Sequence, residues 1–111
     1  QAAGRPVTVG LIGAGKFGSM FLHQAPRTKG LRIAGIGDLS VPRARAALAR
    51  IGWEEERITA TRITEDSLAL IADPAVEVVV EATGDPAAGL RHARQALRGG
   101  QHVVKVNEEA D

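Results

Sequence analysis

Three glycines in the run Gly13-Ala14-Gly15-Lys16-Phe17-Gly18 follow the apolar stretch Val7 to Ile12 and lead into a segment with helical spacing. Residues of this kind in this order can hold a diphosphate. Gly13 lets the chain leave a strand in a tight turn, Gly15 has no Cβ to keep the backbone away from phosphates, and Gly18 lets a helix lie close against its strand. The first N–H groups of that helix have no partner inside it, and its dipole adds partial positive charge. An anion is therefore stabilised there without a basic side chain. A bare glycine-rich turn can equally be a strand-to-helix bend with no ligand, and the next acid separates the two readings. A second apolar run, Leu31 to Gly37, ends at Asp38, 20 residues after Gly18. That is the separation at which a carboxylate reaches the hydroxyls of an adenosine ribose. Strand, loop, helix, strand and acid in that order point to a Rossmann-type nucleotide site.

Around that axis other residues offer contacts. Asp38 reads as a ribose acceptor that favours NAD, because a carboxylate repels a 2′-phosphate, or else as a helix cap or solvated turn acid. Arg43 or Arg45 could pair with a 2′-phosphate, which keeps NADP open; each also reads as an exposed helix arginine. Lys16 can add charge to a phosphate contact or face solvent. Phe17 adjoins the same turn and also begins a buried stripe. Ala82, Thr83 and Gly84 form a small-residue loop at the end of a later strand, where a nicotinamide could pass close to the backbone; the alternative is an ordinary turn with Asp85 as cap. Lys105 and Asn107 stand at the corresponding end of the last strand and could meet a carboxamide or a substrate, or belong to a solvated tail. The candidate cofactor set is thus Gly13, Ala14, Gly15, Lys16, Phe17, Gly18, Asp38, Arg43, Ala82, Thr83, Gly84, Lys105 and Asn107. His23, His92 and His102 have no metal-ligand spacing and read as structural or exposed. No catalytic triad or paired-carboxylate site is legible, so catalytic residues stay unassigned.

The elements that must position these residues follow from periodicity. Strands are expected at Val7 to Ile12, Leu31 to Gly37, Ile58 to Ile63, Val76 to Ala82 and His102 to Val106. Phe17, Met20 and Phe21 form the stripe of a first helix that stops before Pro26. Ala44, Ala47, Leu48 and Ile51 make the stripe of a second, with Pro42 in its first turn and Gly52 at its end. Thr64 could cap a helix from Glu65 to Ala72, and another runs from Pro86 to about Arg98. Five strands alternating with four helices imply an α/β, doubly wound parallel sheet, and right-handed crossovers favour strand order 3-2-1-4-5.

Composition narrows the classes. The 111 residues suit one domain, with residues 1–6 read as a linker or the end of a preceding element and 7–111 as the nucleotide domain. Lys and Arg number 14 against 13 Asp and Glu, so the net charge of +1 gives no electrostatic case for nucleic acid or an anionic membrane. The absence of cysteine removes disulfides and thiol chemistry. The cysteine-free composition is compatible with a cytoplasmic location; no apolar run approaches the roughly 20 residues that span a bilayer, and no signal-peptide pattern opens the chain. Aromatics are only 3%, so Ala, Val, Ile and Leu must build the core, as in a parallel sheet covered by helices.

Several segments together, Val9 to Phe21, Pro26 to Thr28, Val78 to Gly84 and His102 to Asn107, resemble the homoserine dehydrogenase-like oxidoreductases. The likeness is to the branch with a C-terminal SAF domain, which includes enzymes resembling deoxyxylulose phosphate reductoisomerase. The resemblance implies an NAD(P)-dependent oxidoreductase whose nucleotide domain is this chain, with substrate and oligomerisation parts beyond Asp111. Homoserine dehydrogenases usually carry an Asn-Lys pair after the fifth strand; here Asn107 is followed by Glu108, and no catalytic lysine is carried over. Two other readings remain: a dinucleotide-sensing module without chemistry, and a sugar-phosphate reductoisomerase.

Overall fold

The computed structural model describes residues 6–13, 16–25 and 28–106, with the side chains of Lys16, Phe17 and Ser19 outside the description. Its centre is β1 (Val7–Ile12), whose side chains point alternately to the two faces of a sheet. Val9 and Leu11 turn to one face, and there they join Leu22, Ile36, Ala44, Leu48, Ile58 and Val80 in one buried cluster. Ile12 turns to the other and packs with Leu70, Ile71, Val76, Val79 and Ala96. A strand apolar on both sides must be covered on both sides, which is why it sits in the middle of a parallel sheet.

Parallel partners flank it: β2 (Leu31–Gly37) on one side and β4 (Val78–Glu81) on the other. β3 (Ile63–Thr64) and β5 (His102–Lys105) take the two edges, giving the expected order 3-2-1-4-5. Helices α1 (Lys16–Gln24), α2 (Val41–Arg50) and α3 (Glu55–Ala60) supply residues to the first cluster, while α4 (Ser67–Ala72) and α5 (Pro86–Arg98) supply the second. Among the described residues no helix is long and apolar enough to cross a membrane.

Local chemistry fixes the ends of these helices. Ser40 caps α2, its hydroxyl accepting from Arg43 N at 3.3 Å, and Ala44, Ala47 and Leu48 are the buried stripe. Gly52, at φ +98°, turns the chain after that helix, as its position predicts. Asp85 caps α5 by accepting from Ala87 N at 3.1 Å and Ala88 N at 3.4 Å, with Pro86 in the first turn.

Two expected elements are corrected. Ile58 to Ile63 is not a strand: α3 occupies Glu55–Ala60, and β3 is confined to Ile63–Thr64. Glu55 and Glu56 suit the positive end of a helix, and Ile58 N donates to Glu54 O at 3.0 Å, a four-residue backbone bond that a strand does not make. A fifth helix therefore lies between β2 and β3 among the described residues, where four helices in all were expected. The next helix begins at Ser67 rather than Glu65, capped by Asp66, whose Oδ1 accepts from Ala69 N at 3.0 Å. Thr64 is not the cap; its hydroxyl instead accepts from Asp66 N. β4 and β5 are also shorter than their apolar runs, Val78–Glu81 and His102–Lys105.

Candidate functional site

The carboxyl ends of β1, β2 and β4 open together into one crevice of about 830 Å³. It runs from Asp38 and Arg43 on one side to Thr83 and His92 on the other, with Gly13 between them on its wall. This is where the winding of a doubly wound sheet reverses, and where such sheets collect ligands.

The floor is built by close backbone approach. Gly13 N donates to Gly37 O at 2.7 Å and Ala82 N donates to Ile12 O at 2.8 Å, so the three strand ends are held edge to edge. Gly13 has φ +96°, and a Cβ on it would lie 2.9 Å from the Ala82 carbonyl oxygen. Only glycine meets both conditions at low cost. A Cβ on Gly18 would overlap the Gly13 carbonyl oxygen, so α1 lies against the bend because that residue has no side chain. Two of the three motif glycines thus have the tasks their spacing assigned. Gly15, with Ala14, lies outside the described residues, as does Asn107; for Lys16 and Phe17 only their place in α1 is described.

On the β2 side, Asp38 stands on the crevice wall with Oδ1 accepting from Leu39 N at 2.8 Å. Oδ2 makes no hydrogen bond among the described residues. Asp38 does not cap α2, a place taken by Ser40, so the cap reading is set aside. Arg43 lines the crevice and Arg45 does not. Sequence reasoning missed Arg50, which also lines it from α2, seven residues after Arg43. Residues 43, 46, 47 and 50 are spaced to lie along one helix face, and that spacing was the available signal.

On the β4 side, Ala82 and Thr83 line the crevice together with Asp85, Ala88, Arg91 and His92 of the loop and α5. Gly84, at φ +74°, turns the loop without lining the crevice. Lys105 is not brought to the wall either: it pairs in register with Glu81 and its ammonium stands near Gly89 of α5. The sequence reading also missed Glu81. This carboxylate is 1% exposed, and its Oε2 accepts from Thr83 Oγ1 at 2.7 Å and lies 2.8 Å from His92 Nδ1. His92 is buried beside it, whereas His23 and His102 are exposed.

A glycine-floored crevice over the carboxyl ends of a 3-2-1-4-5 parallel sheet, with an acid at the end of β2, defines a Rossmann dinucleotide-binding domain. The chain belongs to the GFO_IDH_MocA oxidoreductase family with an NAD-binding Rossmann fold, whose model matches residues 7–105. It is 31% identical over 110 residues to a homoserine dehydrogenase from Methylobacillus glycogenes, covering 94% of this chain and 25% of that protein. Its fold is similar to the crystal structure of a homoserine dehydrogenase from Thiobacillus denitrificans, with a TM-score of 0.76 at 23% identity, over 93% of this chain and 24% of the other. It is also similar to a Synechocystis biliverdin reductase solved with biliverdin and NADP+, with a TM-score of 0.72 at 25% identity, over 90% and 28% of the two chains. The chain spans about a quarter of the length of the curated relative it matches.

Proposed function

We propose that this chain is the nucleotide domain of a homoserine dehydrogenase-like oxidoreductase that moves a hydride between a nicotinamide cofactor and a small carbonyl or alcohol substrate. The observation that carries the reading is the meeting of the Gly13 bend, Asp38 and the Ala82–Thr83 loop on one crevice. The family match and the likeness to a homoserine dehydrogenase support it. The groups that handle substrate protons, and the contacts of any homo-oligomer, are proposed to lie in the further domain that such an enzyme carries. A cytoplasmic location is proposed with it, on the cysteine-free sequence.

The residues present suit a dinucleotide. The bend at Gly13, lacking a Cβ, brings the end of β1 and the Ala82 loop together on the crevice wall, and Oδ2 of Asp38, which has no partner among the described residues, is an acceptor suited to a ribose hydroxyl. In this reading Gly13, Ala14, Gly15, Lys16 and Gly18 hold the diphosphate, Asp38 holds the adenosine ribose, and Ala82 and Thr83 border the nicotinamide half. The cofactor supplies the hydride chemistry when bound; the chain's own residues bind and orient it. Asp38 favours NAD, while Arg43 and Arg50 on the same wall supply the guanidinium groups that NADP would need.

Titration with NADH and NADPH, read by the change in nicotinamide fluorescence, tests the reading. Saturable binding of at least one is expected. No saturable binding of either at millimolar concentration overturns it.

A further inference from the structure

Of the buried polar residues described, Glu81 is the least exposed, at 1%. A carboxylate in such a place is costly unless its oxygens are bonded, and the register partner of Glu81 on β1 is the apolar Ile12. Its two oxygens are used unequally. Oε2 accepts the Thr83 hydroxyl proton at 2.7 Å and meets His92 Nδ1 at 2.8 Å, whereas Oε1 has no hydrogen-bond partner among the described residues. Across from Oε1 is Lys105: a Cβ placed on Gly89 would lie 3.3 Å from Oε1 and 3.4 Å from Lys105 Nζ. Gly89 therefore leaves a gap in α5 into which an acid and a base reach from β4 and β5.

What Glu81 bonds to matters more than its burial. Both Thr83 and His92 line the crevice. An ionised carboxylate only accepts hydrogen bonds, so it dictates where its partners' protons sit. The Thr83 hydroxyl proton is committed to Oε2, and Asp85 N donates to Thr83 Oγ1 at 3.2 Å. The remaining lone pair of that oxygen is left to accept. In the neutral His92 ring the proton is held on Nδ1, so Nε2, which has no partner among the described residues, is an acceptor too.

We propose that Glu81 is a positioning residue of the crevice, whose carboxylate makes Thr83 Oγ1 and His92 Nε2 acceptors for the hydroxyl or carboxamide donors of a dinucleotide's nicotinamide half. The proposal rests on the dinucleotide reading above. It concerns only the β4 side of the crevice, so a ligand that stops at the second phosphate does not sense it.

The test compares NADH, ADP-ribose and ADP as probes, by calorimetry, on the chain and on Glu81→Gln. The amide keeps the side chain's shape but puts donors where the carboxylate only accepts. NADH binding about tenfold weaker in the variant, with ADP binding within about twofold of the parent, is the expected result. An equal loss for ADP-ribose assigns the recognised donors to the ribose, and a loss for NADH alone assigns them to the carboxamide. Equal loss of ADP binding means Glu81 only supports the fold and overturns the proposal, as does unchanged NADH binding. Binding of neither NADH nor ADP by the parent chain defeats the dinucleotide reading itself. Should Glu81→Gln not fold, two measurements remain. Thr83→Val must weaken NADH and spare ADP, and the ¹⁵N shifts of His92 in the parent chain must report the Nδ1–H form; the Nε2–H form refutes the idea.

Discussion

The two sides of the crevice are made by different means. The bend after β1 is shaped by what is missing: Gly13 and Gly18 have no Cβ, so Gly13 lies against the Ala82 backbone and α1 lies against Gly13. The β4–α5 side is shaped by what is added, a buried carboxylate that ties a loop hydroxyl and a helix imidazole together. Shape made by glycine is a local property of a few consecutive residues. Polarity made by a side-chain network exists only once a strand and a helix have packed. The first should fail as a loss of fold and site together, the second as a loss of discrimination with the fold retained.

The largest expected effect is on the glycine side. Gly18→Ala sets a methyl into the Gly13 carbonyl oxygen, and neither backbone can move without disturbing β1. A destabilisation of about 3 kcal/mol is expected, read from the urea midpoint, together with loss of NADH binding. Unchanged stability would mean that α1 does not rest on the bend.

Next comes the buried acid. Glu81→Leu removes the acceptor from Thr83 and His92 and strands a buried ring nitrogen, which is expected to cost about 2 kcal/mol. Glu81→Gln, whose amide can still bond both partners with the donor roles reversed, should cost less than half of that by the same urea measurement. If the two variants lose equally, the network contributes nothing that depends on its hydrogen bonds.

This division explains which parts were legible in the sequence. The glycine spacing and the 20-residue interval to Asp38 are written along one stretch of chain, and strand order followed from alternation and crossover handedness. Glu81 falls within the strand expected at Val76 to Ala82 and carries no local signal of its own, while His92 lies eleven positions on with no pattern joining them. Their contact comes from α5 lying over β4, a tertiary fact. The third strand was misread for a related reason. Ile58 and Ile63 read as one alternating run, although an interval of five puts them on opposite faces; Ile58 belongs to α3 and packs with α2, whereas Ile63, with Thr64, pairs with β2. Arg50 was legible and overlooked, since its seven-residue offset from Arg43 marks a shared helix face.

A smaller effect should separate the two ends of the ligand. Asp38→Ala removes a carboxylate that lines the crevice together with Arg43 and Arg50, and with it the repulsion of a 2′-phosphate. The ratio of NADPH to NADH affinity should rise about tenfold, by fluorescence titration, with the urea midpoint nearly unchanged. A ratio that stays put would remove Asp38 from the ribose and leave the arginines as the only cofactor-selecting groups on that wall.

The smallest effect sharpens the comparison by isolating the loop from the network. Asp85 accepts from Ala87 N and Ala88 N at the start of α5, and its own amide donates to Thr83 Oγ1. Asp85→Ala removes the cap but leaves that amide in place. About 1 kcal/mol of stability should be lost through the freed helix N–H groups. Thr83 still has its backbone donor and its carboxylate acceptor, so NADH affinity should change by less than about twofold. If NADH binding instead falls as far as in Thr83→Val, the loop's position depends on the helix cap rather than on Glu81. The β4 side would then be set by backbone like the β1 side, and the distinction between the two halves of the crevice would disappear.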